Sequence, residues 1–483
     1  MARNPWWTLA LAVSLTTAEA AMAEGTNGEE RRSSLEDQQA VAVTIYNQDL
    51  ALVKDRRRIE LPAGQAALAF RDVSAKIQPQ TAILTSHGEG PGPRVLEQNF
   101  DFDLLTPDKL LEKYVGRRVG LIKTHPTTGE ETEEEAQVLA ASNGVVLRVG
   151  DRIETGVPGR LVYREVPANL RDRPTLVMTL ESPAAGTLEL ELSYLTGGLS
   201  WQADYVGELA AGEDQMDLTG WVTLTNRSGT SYPNAQLQLI AGDVHRVEQV
   251  LHEPMYDARV MAMAEAAPPM AEEALFEYHL YTLGRPTTIA DNQSKQVALL
   301  NAEGVAVRKE LLVAGHEHAY RSPQGGVTQK LDVLAYLELK NDEASNLGMP
   351  LPAGTVRIYK RDSQGNAQFI GEDRIDHTPK NETARLKLGK SFDVTAERRQ
   401  TEFKKHSGTG PWQYQFESAY ELVLRNAKPE PARVKVRERI PGDWTMLQET
   451  HPHTKPNAFT AEWVMEVPAE GSVSLSYRVR VRF

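Results

Sequence analysis

Three stretches of this chain share one frame: Val222-Thr-Leu-Thr-Asn226, Leu337-Glu-Leu-Lys-Asn341 and Leu422-Val-Leu-Arg-Asn426. Each alternates apolar and polar residues and then stops on an asparagine. A period of two places successive side chains on opposite faces of an extended backbone, so the pattern demands half-buried β-strands. In each copy a polar loop follows, then a proline (Pro233, Pro352, Pro431) and a further β-rich run at Leu237, Val356 or Val434. Asparagine tolerates left-handed backbone and bonds its own main chain, so it is expected to end a strand. Proline cannot donate to a ladder, so it stands where one begins. The copies therefore predict equivalent strands of sandwich-type sheets. Their separations, 115 and then 85 residues, are too irregular for a solenoid or propeller.

The rest of the chain uses the same grammar. From Ala40, Val41, Val43 and Ile45 share one strand face, Asn47-Gln-Asp49 turns, and Leu50 and Leu52 resume, with Ile59 and Leu61 before Pro62-Ala-Gly64. Arg56-Arg-Arg58 inside this hairpin reads as a solvated strand face rather than a site for an anionic partner, because Asp55 and Glu60 flank it. Between about 104 and 167, Thr106-Pro107 starts a short helix over Asp108 to Tyr114. Five apolar runs follow, Val119 to Ile122, Ala136 to Ala140, Gly144 to Val149, Arg152 to Glu154 and Arg160 to Tyr163, with an acidic loop from Gly129 to Glu135. Short strands with tight turns predict a small SH3-like barrel module. The fold class is thus all-β and multidomain, with sandwich-like (Ig-like) sheets and that module in the N-terminal half. Residues 24–39 read as a disordered leader, 40–190 as an N-terminal β region and 191–483 as a sandwich-type domain. Met255 to Glu273, rich in Ala, Met and Glu, reads as a disordered loop within the last.

Where the protein works is read from its first residues. Arg3, the apolar stretch Trp6 to Leu15 and the small residues Ala21 and Ala23 before Glu24 follow the order of a cleavable signal peptide over 1–23. The apolar run is too short to span a bilayer, which takes about 20 residues, and no later segment serves as a transmembrane helix. The expected location is therefore periplasmic or extracellular. The chain has no cysteine, which excludes disulfides, thiol nucleophiles and thiolate metal sites. A net charge of -13 argues against nucleic-acid binding. Asn226, Asn292 and Asn381 match the glycosylation pattern by letter and are read as chance.

Trp201-Gln-Ala-Asp-Tyr205, Val222 to Asn226, Tyr232-Pro-Asn234, Leu237-Gln-Leu239 and Gly242 together resemble the start of the bacterial domain-of-unknown-function family 4139. Tyr278 to Pro286, Leu351 to Tyr359, Tyr420 to Pro441 and Glu470 to Val481 are similar to its later segments, so the resemblance covers roughly residues 190–483. The family looks like exported, β-rich proteins, some resembling a mucoidy inhibitor. It implies no activity and no catalytic residue. Tyr232 stands where tryptophan is more usual, and a long coiled-coil insert of some relatives is missing.

Candidate chemistry is sparse. There is no Gly-x-Ser-x-Gly elbow, and Ser200 reads as a strand-end residue rather than a nucleophile. A pair of carboxylates for glycoside hydrolysis cannot be located among 66 acids. His316 and His318 would share a face of an extended segment, a spacing at which two imidazoles reach one metal; His451 and His453 offer a second pair. Both pairs read as structural or solvated histidines, so no cofactor is expected. Met261, Met263 and Met270 could present thioethers to Cu(I) or form an adaptable segment, but read as part of the loop. Leu475, Tyr477, Val479, Val481 and Phe483 alternate like the last strand of an outer-membrane barrel, although Arg478, Arg480 and Arg482 occupy the other face. The expectation is an exported envelope-associated binding or scaffold protein, with an envelope protein or surface polymer as partner. The alternatives are a hydrolase acting on envelope polysaccharide and an outer-membrane β-barrel.

Overall fold

The computed structural model describes residues 30–483 apart from 48, 89, 102–103, 143, 168–169, 243, 246–269, 316–319, 408–411 and 413. Strands account for 64% of the chain and helix for 4%, so the all-β class holds. Contacts divide the chain into two compact units: Arg58–Arg71 and Ser86–Glu189 with the N-terminal residues through Asp37, and Gln38–Arg57 and Asp72–Thr85 with Leu190–Phe483.

The first unit holds a four-stranded sheet, in the order Arg31–Ser33, Gly64–Arg71, Thr175–Ser182, Arg94–Asp101, and a five-stranded one. Its first strand lies within the stretch expected to be disordered. Arg31–Ser33 pairs in parallel with Leu68, Ala69 and Phe70, and the Arg171 guanidinium clamps the Glu30 carboxylate at 2.9 and 2.7 Å. Composition missed this because the partners lie far along the chain. The expected helix is present over Pro107–Lys113, with Thr106 accepting from the Lys109 amide at 3.2 Å.

The five-stranded sheet runs Arg152–Thr155, Val146–Val149, Glu131–Ala140, Arg118–Thr124, Arg160–Val162 around a core of Val119, Leu121, Ala136, Val138, Leu147 and Tyr114. It is an open sheet, with the first and last of these strands as edges, so the barrel expected here is not closed by strand pairing. The expected acidic loop is also largely strand: Glu131, Glu134 and Glu135 pair with Arg160, Lys123 and Arg118, which neutralises the run across the ladder.

The second unit contains the repeats, and they turn out to be whole modules. Each module has four strands in which the first pairs with the last and the second with the third, all antiparallel. The first module comprises Gln215–Asn226, Tyr232–Ala241, Thr287–Ile289 and Gln293–Ala314. The second comprises Val333–Lys340, Gly354–Arg361, Ala367–Ile375 and Thr383–Lys390. The third comprises Tyr414–Asn426, Ala432–Arg439, Thr460–Val467 and Ser472–Arg482. The irregular spacing noted in the sequence is therefore loop length laid over one repeated topology.

The modules are chained by parallel pairing. Tyr232–Ala241 adds to Gln38–Tyr46, Gly354–Arg361 to Leu199–Leu209, and Ala432–Arg439 to Gln293–Ala314. In the last two cases the receiving strand is the antiparallel partner of the preceding module's asparagine strand. In the first, the hairpin of Gln38–Tyr46 and Leu50–Leu61 takes that part.

The asparagines explain why the corner is repeated. None of the three has a positive φ, so left-handed backbone is not the reason they stand there. Each is buried, at 0%, 0% and 3% exposure, and its amide group stitches the corner. The Asn226 Nδ2 donates to the carbonyls of Thr230, Ile289 and Ala290 at 2.9, 3.3 and 3.1 Å. Asn341 reaches Met349, Thr378 and Pro379 at 2.8, 3.1 and 3.0 Å. Asn426 reaches Glu430, Val467 and Pro468 at 2.8, 3.4 and 3.1 Å. One side chain thus satisfies buried carbonyls of its own loop and of the turn into the fourth strand. A buried, fully engaged Asn226 is no glycan acceptor, in keeping with the reading of that pattern as chance. Of the loop expected over Met255 to Glu273, residues 255–269 lie outside the described residues, and its last residues are not loop: Ala271–Leu275 is a strand paired with Tyr278–Thr282.

Candidate functional site

The densest chemistry among the described residues lies inside the third module, between the sheet of Val394–Ser407, Tyr414–Asn426 and Ser472–Arg482 and the sheet carrying Ala432–Arg439 and Thr460–Val467. Val394, Ala396, Arg398 and Gln400 alternate onto one buried face, and so do Ala432, Val434, Val436 and Glu438. Charge thus occupies the apolar phase of both strands. The side chains of Arg398 and Glu438 are 1% and 0% exposed, and Arg398 Nη1 donates to both carboxylate oxygens at 3.0 Å. Tyr320 Oη donates to Glu438 Oε2 at 3.0 Å and shares a hydrogen bond with Tyr477 Oη at 3.0 Å.

Aromatic rings enclose the pair. Tyr477 stacks on Tyr420 at 5.5 Å and on Trp463 at 5.0 Å, and the Arg398 guanidinium lies 5.2 Å from the Tyr420 ring centre. Gly315 lies against the carboxylate. A Cβ there would come within 1.8 Å of Glu438 Oε2, so only glycine leaves room for the pair. Burial opposes the Arg398 charge, but Glu438 and the tyrosines outweigh it and hold the guanidinium above its ordinary range. Burial pushes the Tyr320 and Tyr477 hydroxyls far up, with Glu438 adding to it, and lifts Tyr420 to about 12. The cluster therefore holds a fixed ion pair and neutral phenols. Arg398 Nε, also buried, has no hydrogen-bond partner among the described residues.

A related cluster lies at the first module. Asp55 and Arg57 follow Ala51 and Val53 on the buried phase, and Arg57 is 0% exposed. This corrects the reading of Arg56 to Arg58 as a uniformly solvated face. Arg57 Nε and Nη2 bond Asp55 Oδ2 at 3.1 and 2.7 Å, and Gln38 Nε2 donates to Oδ1 at 2.9 Å. Beside them Thr196 Oγ1 donates to Ser74 Oγ at 2.6 Å, and Ser74 Oγ to the Ser228 carbonyl at 3.0 Å. Ser228 Oγ donates to Asn226 Oδ1 at 2.7 Å.

The residues singled out in the sequence are dispersed. His316, His318, Ala21, Ala23, Glu24, Met261 and Met263 lie outside the described residues. The second histidine pair is split between partners: Glu449 Oε2 holds His453 Nδ1 at 2.9 Å beside Trp444 and Trp463, whereas the His451 carbonyl accepts from Trp463 Nε1 at 3.1 Å. Met270 is buried against the sheet, its amide bonding the Leu299 carbonyl at 3.3 Å. Ser200 is a strand residue facing Thr225. Leu475, Tyr477, Val479 and Val481 are core residues, and Arg478, Arg480 and Arg482 pair with Glu402, Glu417 and Asp443. The alternating C-terminal strand thus faces protein, and its sheet is open, which removes the barrel reading of this strand.

At one end of the third module an open groove of about 680 Å³ is lined by Phe392, Asp393, Thr395, Arg425, Glu470 and Ser472. Phe392 is 94% exposed there. Among curated proteins none matches this chain. Residues 190–483 match a family model described as a domain of unknown function (DUF4139).

Proposed function

The chain belongs to the DUF4139 family, and from that premise we propose that it is an exported, envelope-associated protein that binds or scaffolds other envelope components without catalysing a reaction. One observation carries the reading. The cluster with most chemical potential, Arg398 with Glu438, Tyr320 and Tyr477, is sealed and self-neutralised, so it serves rigidity. What the molecule offers outward is loop-lined groove and sheet edge, which suits recognition. Its binding partner is an envelope protein or a surface polymer. The chain acts in the periplasm or outside the cell after removal of residues 1–23.

Cell fractionation combined with crosslinking in intact cells tests this. The expected outcome is a processed chain outside the cytoplasm, reproducibly crosslinked to an envelope component. An unprocessed cytosolic chain, or turnover of a glycan panel by the purified protein, defeats the proposal.

A further inference from the structure

The chaining of modules ends at a strand that has received no parallel partner among the described residues. Gln38–Tyr46, Leu199–Leu209 and Gln293–Ala314 each accept a parallel strand beside the antiparallel partner they already have. Val394–Ser407 is the equivalent strand of the third module, paired with Tyr414–Asn426. Among the described residues its other edge carries only Thr328–Leu331, which covers Ala396 to Arg399. Past the irregularity between Gln400 and Glu402, no strand among the described residues pairs with that edge over Glu402 to Ser407.

The sheet face beside this edge has its own chemistry. Phe403, Phe416 and Tyr414 form a row of near-parallel rings, with centroids 5.9 and 6.4 Å apart and planes 29° and 27° apart, and Phe483 meets Phe416 at 5.9 Å. Phe403 and Phe416 are half-buried, and Tyr414 is 47% exposed. Lys405 Nζ sits 4.7 Å from the Tyr414 centroid, and Arg321 covers Phe483 at 4.1 Å. Both cations are exposed and, among the described residues, neither is in an ion pair with an acid. Lys404 and His406, on the opposite face, already have Glu402 and Glu417.

We propose that the edge of Glu402 to Ser407 receives an extended acidic segment of a partner protein as an added parallel strand. Main-chain bonds to the edge would provide affinity. The ring row would take alternate apolar side chains, and Lys405 with Arg321 an acidic one. A nucleic acid fits worse, since two cations on a chain of net charge -13 neutralise few phosphates. The inference deepens the scaffold reading by naming the surface and the chemistry of its partner.

The probe is a labelled (Val-Glu)4 peptide, with (Val-Lys)4 and an acidic polysaccharide as comparison ligands. Binding is followed by fluorescence anisotropy, and amide hydrogen exchange is read across the full chain. The expected result is saturable binding of (Val-Glu)4 alone, slowed exchange at Glu402 to Ser407, and about tenfold weaker binding in Lys405→Glu. Absence of binding, equal binding of (Val-Lys)4, or binding without slowed exchange on this strand overturns the proposal. It is equally overturned if the polysaccharide gives the same protection, or if raising protein concentration alone does so, since the occupant is then a glycan or a second copy. Because the ligands are compared on the unaltered chain, the test remains decisive even if Lys405→Glu folds poorly. An envelope partner still crosslinked in cells by Lys405→Glu would sink this edge and leave the scaffold reading intact.

Discussion

The two buried charge clusters solve one problem at different range. Asp55 and Arg57 are two residues apart on one strand, and Gln38 comes from its hairpin partner, so that pair is complete once the hairpin forms. Arg398 and Glu438 come from different sheets and meet only when those sheets pack. In the first, the Thr196 and Ser74 hydroxyls lead to the Ser228 carbonyl, and the Ser228 hydroxyl completes the relay by donating to the corner asparagine. In the second, a buried Arg398 Nε has no hydrogen-bond partner among the described residues and stacked rings fill the surroundings. A local pair stabilises an element, whereas a cross-sheet pair selects how two elements dock. The second should therefore tolerate less disturbance.

The largest expected effect tests that ranking. Arg398→Met leaves the buried Glu438 carboxylate with Tyr320 as its one hydrogen-bond partner among the described residues and is expected to destabilise by about 3–5 kcal/mol in urea unfolding. Arg57→Met should fall at or below the lower end of that range, about 3 kcal/mol, because Asp55 keeps the Gln38 donor. Arg398→Met/Glu438→Leu should regain most of the loss, since the pair's own desolvation is removed with it. A costlier Arg57→Met would reverse the ranking.

These clusters also mark what the sequence could and could not say. Alternation gave the strands, and Asn and Pro gave the corners, because both signals are local. Asp55, Arg57, Arg398, Gln400 and Glu438 all sit at the apolar phase of alternating runs, a local signal of burial that the run of charge at Arg56 to Arg58 outweighed in the reading of that strand. Which charge meets which was not legible, since Arg398 and Glu438 are 40 residues apart and on different sheets. The role given to the asparagines was right in place and right in half of its cause: the side chain does bond the main chain of its own loop, whereas the left-handed backbone is absent. The described part of the leader was misread because Glu30 is held by Arg171, 141 residues away. The ring row beside Lys405 was invisible because Phe403, Tyr414 and Phe483 come from separate strands or their ends.

The corner asparagines carry the comparison into the modules. Each Asn→Ala change strands three carbonyls and is expected to cost about 2–3 kcal/mol in urea unfolding. Asn226→Ala should be the most damaging, because its Oδ1 also accepts the Ser228 hydroxyl of the first cluster. Equal losses at Asn226, Asn341 and Asn426 would detach that relay from the corner. Gly315→Ala, which forces a methyl against the Glu438 carboxylate, should cost about 1–3 kcal/mol. Its loss should shrink when Glu438 is leucine, a coupling that a double-mutant cycle reads directly.

The smallest effect concerns protons and should be the same in both clusters. Burial lifts Tyr232 in the first and Tyr420 in the second to about 12, from an ordinary 10. The unfolded chain releases each proton near 10 while the folded chain keeps it to about 12. In that window the folded state binds more protons, so stability is complete below the lower value and falls as pH rises through the upper one. Tyr232→Phe and Tyr420→Phe each delete one such group. At neutral pH each should lose about 1 kcal/mol, from the bonds to Ser228 and from Gln400 respectively. Between pH about 10 and 12 the decline of stability with pH should become shallower by up to one proton for either variant. Urea midpoints measured across that range check the slope. A shallower slope at Tyr232 but an unchanged one at Tyr420 would mean that the ring stack around Arg398 opens before its tyrosine titrates, and the cross-sheet cluster would then be the weaker of the two at high pH.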